Sequence, residues 1–186
     1  IYTLSLHDAL PILVDRDLGD MGLEILMLTG DSAASARHVA GLLGLTEEQV
    51  RADLLPTDKE EVIDSLRRAG KHVAMVGDGV NDAPALGAAD VGIAMGTGTD
   101  VAREAGDVVL VGSAPADLVE TVRVARRARR IIMVNFVGTV VVDVVGMVAA
   151  GLGLLGPVAA ALVHVVSESA FILNSARLVP RRRRRR

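Results

Sequence analysis

Cysteine is absent from the 186-residue chain, which excludes a disulfide framework and any thiolate metal site within it. Tryptophan is absent too, and one tyrosine and two phenylalanines bring aromatics to only 2%. The core must therefore be built from valine, alanine, leucine and isoleucine. No signal-peptide pattern opens the chain, nor does an initiating methionine. Residues 1–12, IYTLSLHDALPI, instead read as the forward translation of a common sequencing-library adapter. They are treated as a non-native segment outside the fold, so the neighbouring His7 and Asp8 carry no catalytic weight.

Aliphatic side chains are plentiful. Hydrophobic residues make up 51% of the chain beside 23% charged ones, and mean hydropathy is +0.42. That is high for a soluble domain. The excess lies in the C-terminal part, so the chain divides into a soluble part and a membrane part. Net charge is −3, with carboxylates in the first half and arginines crowded at 123–130 and 177–186.

The chain is organised around residues 73–96, VAMVGDGVNDAPALGAADVGIAMG. An apolar run, His72 to Val76, reads as a buried strand. It enters a loop of Gly77-Asp78-Gly79 and Asn81-Asp82, with a helix over 81–88. Ligands of open α/β sheets sit at the carboxyl ends of strands. Two carboxylates four residues apart on a glycine loop suit a hard cation such as Mg²⁺ beside a phosphate. A simple turn is the competing reading, because Gly, Asn and Asp are turn residues.

Around this centre, residues 13–22 read as a helix end closed by Gly22, and 23–28 as a strand. Asp31 or Ser32 caps a helix over 33–43 that Gly44 ends. Thr29 and the amides of that turn make a phosphate site or a plain helix cap. Val50 to Leu55 is a short edge strand. Thr57 caps a helix over 58–69, with Glu60 in the capping-box position. Lys59 in its first turn opposes the helix dipole, which a phosphate-facing role explains; a solvated surface lysine is the alternative. Strands follow over 90–95 and 107–111, with a helical turn over 100–105. Alternation of strand and helix gives an α/β class with a mostly parallel sheet. A basic helix over 115–130 carries Arg123, Arg126, Arg127, Arg129 and Arg130. It lacks the interleaved aromatics of a nucleic-acid surface, so no nucleic-acid partner is expected.

GDGVNDAPAL at 77–86 resembles the Mg²⁺-binding loop of the P-type ATPases, cation pumps with a haloacid-dehalogenase-like phosphorylation domain. MLTGD at 27–31, LLPTDK at 54–59 and AMGTGTDVAREAGDVVL at 94–110 resemble further motifs of that family, in its order. The GTGTDVA wording points to the heavy-metal-transporting branch rather than the potassium pumps. The resemblance covers residues 13–179. It implies an incomplete haloacid-dehalogenase-like Rossmannoid domain followed by a two-helix transmembrane hairpin. Residues 13–112 would be the C-terminal part of the phosphorylation domain, 113–130 a basic linker helix, 131–179 two membrane helices and 180–186 a basic tail.

The resemblance also implies roles. Asp78 would ligate Mg²⁺ and Asp82 would support that site. Thr29 and Asn81 would hydrogen-bond the phosphate, and Lys59 would neutralise it. Asp31 would position the nucleotide side of the cleft. Gly30, Gly77 and Gly79 would let the backbone approach ATP. The family's nucleophilic aspartate lies in a DKTGT motif, and no such string occurs here. The sheet is therefore expected to be incomplete between strands 23–28 and 72–76, and this chain alone is expected to form no phosphoenzyme. The implied partners are the rest of the same pump, with its nucleotide-binding and actuator domains and earlier spans.

Ile131 to Ala150 is 20 residues long with one formal charge, Asp143. Leu154 to Val179 is apolar apart from His164, Glu168 and Arg177. Each is long enough to cross a hydrocarbon layer of ~30 Å. Arginines flank the outer ends and none lies in the intervening loop. The positive-inside rule then places both termini in the cytosol of a multi-pass membrane protein, with a bacterial plasma membrane as the expected setting. The terminal arginines 181–186 would meet anionic lipid.

Asp143 lies eight residues before Gly151, and His164 eight after Gly156, so a hairpin puts them at similar depth. Glu168 shares a helix face with His164. These three are the candidate site for a transported divalent transition-metal ion, since imidazole and carboxylate suit Zn²⁺, Co²⁺, Ni²⁺, Mn²⁺ or Fe²⁺. Helix–helix bonding, with Asn135, Ser167, Ser169 and Asn174, is the competing reading. Two other function classes stand beside the pump: a soluble haloacid-dehalogenase-type phosphatase, which has no use for the hairpin, and a non-enzymatic membrane-anchored remnant.

Overall fold

The computed structural model describes residues 2–4, 17–112 and 115–178, with only the backbone at 2–4 and 115. His7, Asp8, residues 13–16 of the helix end expected over 13–22, and the arginine tail lie outside the described residues. The chain divides into two compact units, Ile1–Glu120 and Thr121–Arg186.

The first unit is built on a six-stranded, wholly parallel sheet of order β3-β2-β1-β4-β5-β6. Its strands are β1 (Tyr2–Leu4), β2 (Ile25–Leu28), β3 (Val50–Arg51), β4 (Ala74–Gly77), β5 (Val91–Ala94) and β6 (Val108–Val109). The helices between them are α1 (Ala33–Leu43), α2 (Pro56–Arg68), α3 (Ala83–Ala88) and α4 (Asp100–Ala105). β2 and β4 are continuous apolar runs because a parallel sheet is covered on both faces. Leu28, Ile63, Val73, Met75, Ala85, Leu86 and Ala102 form one buried cluster under α2, α3 and α4. Ala36, Ala40 and Leu43 are the buried residues of α1. Small alanines let the layers approach, as the scarcity of aromatics requires.

The sheet has no gap between β2 and β4. Tyr2–Leu4 occupies that place, pairing with Ile25–Met27 on one side and Ala74–Val76 on the other. This corrects the expectation that the sheet is incomplete between these strands, and it brings residues 2–4 of the segment set aside into the fold. Two facing strand edges would leave rows of backbone N–H and C=O groups unpaired, and an extended segment rich in β-formers satisfies them.

Other boundaries move by a few residues. α2 starts at Pro56, and Asp58 accepts the Leu55 N–H at 2.8 Å, so Asp58 rather than Thr57 supplies the cap. Ser32 caps α1, and Gly44 ends it with φ 75°. Val80–Asp82 is a single 3₁₀ turn ahead of α3.

The second unit is a helical hairpin. The basic helix and the first apolar segment are one helix, α5 (Pro115–Gly151), because no Gly or Pro breaks the run at the change of polarity. After a loop with Gly153 at φ 73°, α6 (Pro157–Ser175) follows. Both helices are long and apolar enough to cross a membrane. Phe171 seats its ring on Gly138, where an added Cβ would lie 2.7 Å from the ring.

Candidate phosphate and ion sites

The loops at the carboxyl ends of β2, β3 and β4 enclose a cavity of about 490 Å³. Thr29, Gly30, Asp31, Lys59, Asp78, Gly79, Asn81 and Asp82 line it. Of the first unit's candidate residues, the cavity gathers all except Gly77. Leu54 and Pro56, not singled out by the sequence reading, complete the wall.

The β2–α1 turn is organised by Thr29, whose buried hydroxyl accepts the Asp31 N–H at 3.1 Å. Asp53, with φ 56°, ties this turn to the next strand end. Its N–H donates to the Asp31 carbonyl at 2.8 Å, and its carboxylate accepts the Ala33 N–H at 3.2 Å. Asp53 sits in the left-handed region, which Asn and Asp tolerate best, and that was the one sequence cue to it.

Lys59 and Asp82 meet at the base of the cavity. The Lys59 ammonium donates to Asp82 Oδ1 at 2.8 Å, with side-chain exposures of 7% and 4%. The other Asp82 oxygen accepts the Gly79 N–H at 3.4 Å. Asp82 is thus held by protein groups on both oxygens, whereas Asp78 remains half-exposed on the cavity wall. The donor set fits Mg²⁺ in this division: an oxygen ligand from Asp78, with Asp82 holding Lys59 in place. Gly77 contributes differently from the ligand approach expected of it. A Cβ there would come 2.7 Å from Asp82 Cβ, so its lack of a side chain is what admits the buried carboxylate.

The GTGT loop, read from sequence only as a branch marker, also reaches this site. The Thr99 N–H donates to the Asp78 carbonyl at 2.9 Å, and the Thr99 hydroxyl caps α4. A Cβ on Gly98 would lie 3.0 Å from the same carbonyl. The loop therefore buttresses Asp78 from behind.

At the amino-terminal ends of β4 and β5, Asp90 accepts the Val73 N–H at 2.9 Å and the Arg67 Nε–H at 3.0 Å. These bonds, the backbone one first, lower its pKa below the ordinary carboxylate value.

In the hairpin, His164 and Asp143 are level, as their equal distances from the loop predict. His164 Nδ1 lies 3.6 Å from Asp143 Oδ1, and Nε2 lies 3.4 Å from Glu168 Oε1. The two carboxylates hold opposite ring nitrogens. Among the described residues, no three His, Asp or Glu side chains are arranged to hold one metal ion. The helix–helix bonding falls elsewhere. Asn135 donates to the Phe171 carbonyl at 3.2 Å and to Ser175 at 2.8 Å, and Asn174 donates to Asn135 at 2.7 Å. Ser167 and Ser169 bond back within α6, to the His164 and Val165 carbonyls.

A family model described as haloacid dehalogenase-like hydrolase matches residues 13–90. Copper-transporting ATPase 1 of Mus musculus is 42% identical over 163 residues, 87% of this chain and 11% of that protein. The copper-exporting P-type ATPase of Staphylococcus aureus (strain MRSA252) is 41% identical over 163 residues, 88% of this chain and 20% of that one. A crystal structure of a zinc-transporting PIB-type ATPase in the E2.Pi state superposes with a TM-score of 0.85 at 36% identity. It covers 91% of this chain and 27% of that one. The chain thus spans 11–20% of the length of these curated relatives.

Proposed function

We propose that the chain, whose relatives are P-type ATPases named for copper and zinc transport, serves as the C-terminal part of an ATP-driven metal exporter. The reading rests above all on one cavity, at the carboxyl ends of parallel strands, that gathers Thr29, Lys59, Asp78 and Asn81. The apolar hairpin on the same chain supports it, since a soluble phosphatase has no use for one.

In this reading the Thr29 hydroxyl and Asn81 amide hydrogen-bond the phosphoryl oxygens. The Lys59 ammonium, oriented by Asp82, neutralises their charge, and Asp31 faces the nucleotide side. Asp78 would hold Mg²⁺, which supplies charge dispersal at the transferred phosphoryl group when bound. The nucleophile belongs to the rest of the pump, as no DKTGT string is present. The transported ion binds in the hairpin at Asp143 and His164. Arginines on α5 and beyond α6 put the phosphorylation domain and both chain ends on the cytosolic side, against anionic lipid, in a bacterial plasma membrane.

The test is a chimera in which residues 13–178 replace the matching segment of the Staphylococcus aureus relative. Metal-stimulated ATP hydrolysis that vanishes with Asp78→Asn is expected. A folded, membrane-inserted chimera without metal-stimulated hydrolysis would sink the reading.

A further inference from the structure

At its arginine-bearing end the hairpin is joined by a chain of polar contacts. The Arg127 guanidinium donates to the Arg177 carbonyl. Arg177 Nη1 donates to Asn174 Oδ1 at 3.3 Å, and Asn174 donates to Asn135 at 2.7 Å. Arg127 on α5 and Arg177, just past α6, thus meet near the point where α5 changes from basic to apolar. Arg130 follows Arg127 by three residues, a neighbouring position on the helix surface. All three arginines are exposed.

Their charge is not balanced locally. Arg67 and Arg103 pair with Asp90 and Asp100. Among the described residues, no carboxylate pairs with Arg127, Arg130 or Arg177. The carboxylates of residues 121–178 are Asp143 and Glu168, and Asp143 follows Arg130 by 13 residues, about 20 Å along the helix. The surface that continues from Arg130 is apolar. Val134, Val137 and Val141 follow it at spacings of four, seven and eleven, on one helix face, and all three are exposed. Guanidinium groups at the head of an exposed aliphatic stripe match an anion that carries a hydrocarbon tail. The planar fork of arginine suits phosphate oxygens in particular.

We propose that Arg127, Arg130 and Arg177 hold the phosphate of one anionic phospholipid, whose acyl chain lies along Val134, Val137 and Val141. The bound phosphate bridges α5 and the end of α6, and so clamps the same end of the hairpin that Asn135 ties. This is a discrete site, beyond the diffuse attraction of arginines to an anionic leaflet. The inference rests on the reading that the hairpin crosses a membrane.

The experiment is native mass spectrometry of the full chain in neutral detergent micelles doped with phosphatidylglycerol or, separately, phosphatidylcholine. Both lipids carry a phosphodiester, and only the first has a net negative charge. Neutral micelles present no charged surface, so retained lipid reports a site. Circular dichroism checks the helix content of each variant. One phosphatidylglycerol per chain should be retained, at least about tenfold over phosphatidylcholine. Arg130→Gln and Arg177→Gln should each cut that retention by about tenfold, the weight of hydrogen bonds to a charged group. Arg129→Gln removes the same charge two residues from Arg127, on another side of α5. It should change retention by less than about threefold, as an ordinary surface substitution does. Every variant keeps the terminal arginines, so their contribution is constant. Excess inorganic phosphate, which has no tail, should not displace the lipid. Equal losses from Arg129→Gln and Arg130→Gln, equal retention of the two lipids, or displacement by phosphate would each overturn the site. If the chain partitions into buffer rather than micelles, the membrane reading fails as well.

Discussion

Asp82 reaches across 2.8 Å to the Lys59 ammonium in a site where both side chains are almost wholly enclosed. The pair joins the first turns of α2 to the loop after β4, and so fixes one wall of the cavity to another. A buried pair of this kind is costly to half-remove, because the remaining charge stays desolvated. Lys59→Met or Asp82→Leu alone should destabilise the first unit by about 3–5 kcal/mol. The double variant should lose clearly less than the sum, since it leaves no orphan charge. Urea denaturation of the three variants measures this, and strict additivity would show that the two charges do not depend on each other.

Gly77 and Gly79 flank Asp78 but should respond differently to alanine. At Gly77 the new methyl would overlap Asp82 Cβ at 2.7 Å, whereas at Gly79 the nearest atom is the Asp82 Oδ2 at 3.7 Å. Gly77→Ala should cost about 1–3 kcal/mol, the range for overpacking a tight site, and should disturb the Lys59–Asp82 pair. Gly79→Ala should stay within about 0.5 kcal/mol in stability. Equal losses at both positions would mean that loop flexibility, not room for Asp82, is what the glycines provide.

Much of this arrangement is legible in the sequence because it is local. The loop after β4 announces itself through residue types that tolerate tight turns and ligate hard cations. The alternation of apolar runs and capped helices fixes the α/β class. What stayed hidden depends on pairing across the chain. Nothing near Lys59 names Asp82 as its partner. Nothing in GTGT says that Thr99 bonds the carbonyl of Asp78, 21 residues away. The continuity of α5 was hidden for another reason. A change from arginines to valines alters a helix's surroundings but places no Gly or Pro in its backbone, so polarity marks a boundary that the helix ignores.

The place of Tyr2–Leu4 yields a prediction about the sheet. The family match begins at residue 13, yet a strand from residues 2–4 pairs with both β2 and β4. A chain starting at residue 13 should expose both facing edges, and each lost ladder bond is worth about 1 kcal/mol. Hydrogen exchange of amides in Ile25–Leu28 and Ala74–Gly77 should accelerate by about tenfold or more, with greater aggregation from the open edges. Unchanged protection would mean that β1 adds nothing to the sheet.

Asp90 gives the first unit an acid limb. Its carboxylate accepts the Val73 N–H and the Arg67 guanidinium, with His72 4.0 Å away. The pKa lies below the ordinary value of 3.8, chiefly through the Val73 backbone bond and then the Arg67 bond and charge. The unfolded chain therefore binds a proton more readily than the folded one across that interval, and stability rises with pH there. The contribution is complete above 3.8 and is lost as pH falls through the folded-state value. Asp90→Asn should lower stability at neutral pH and remove this part of the acid dependence, so that its curve converges on that of the unsubstituted chain below pH 3.8. Urea denaturation between pH 7 and about 2 provides the comparison. Two curves that stay parallel throughout would place the acid sensitivity at carboxylates other than Asp90.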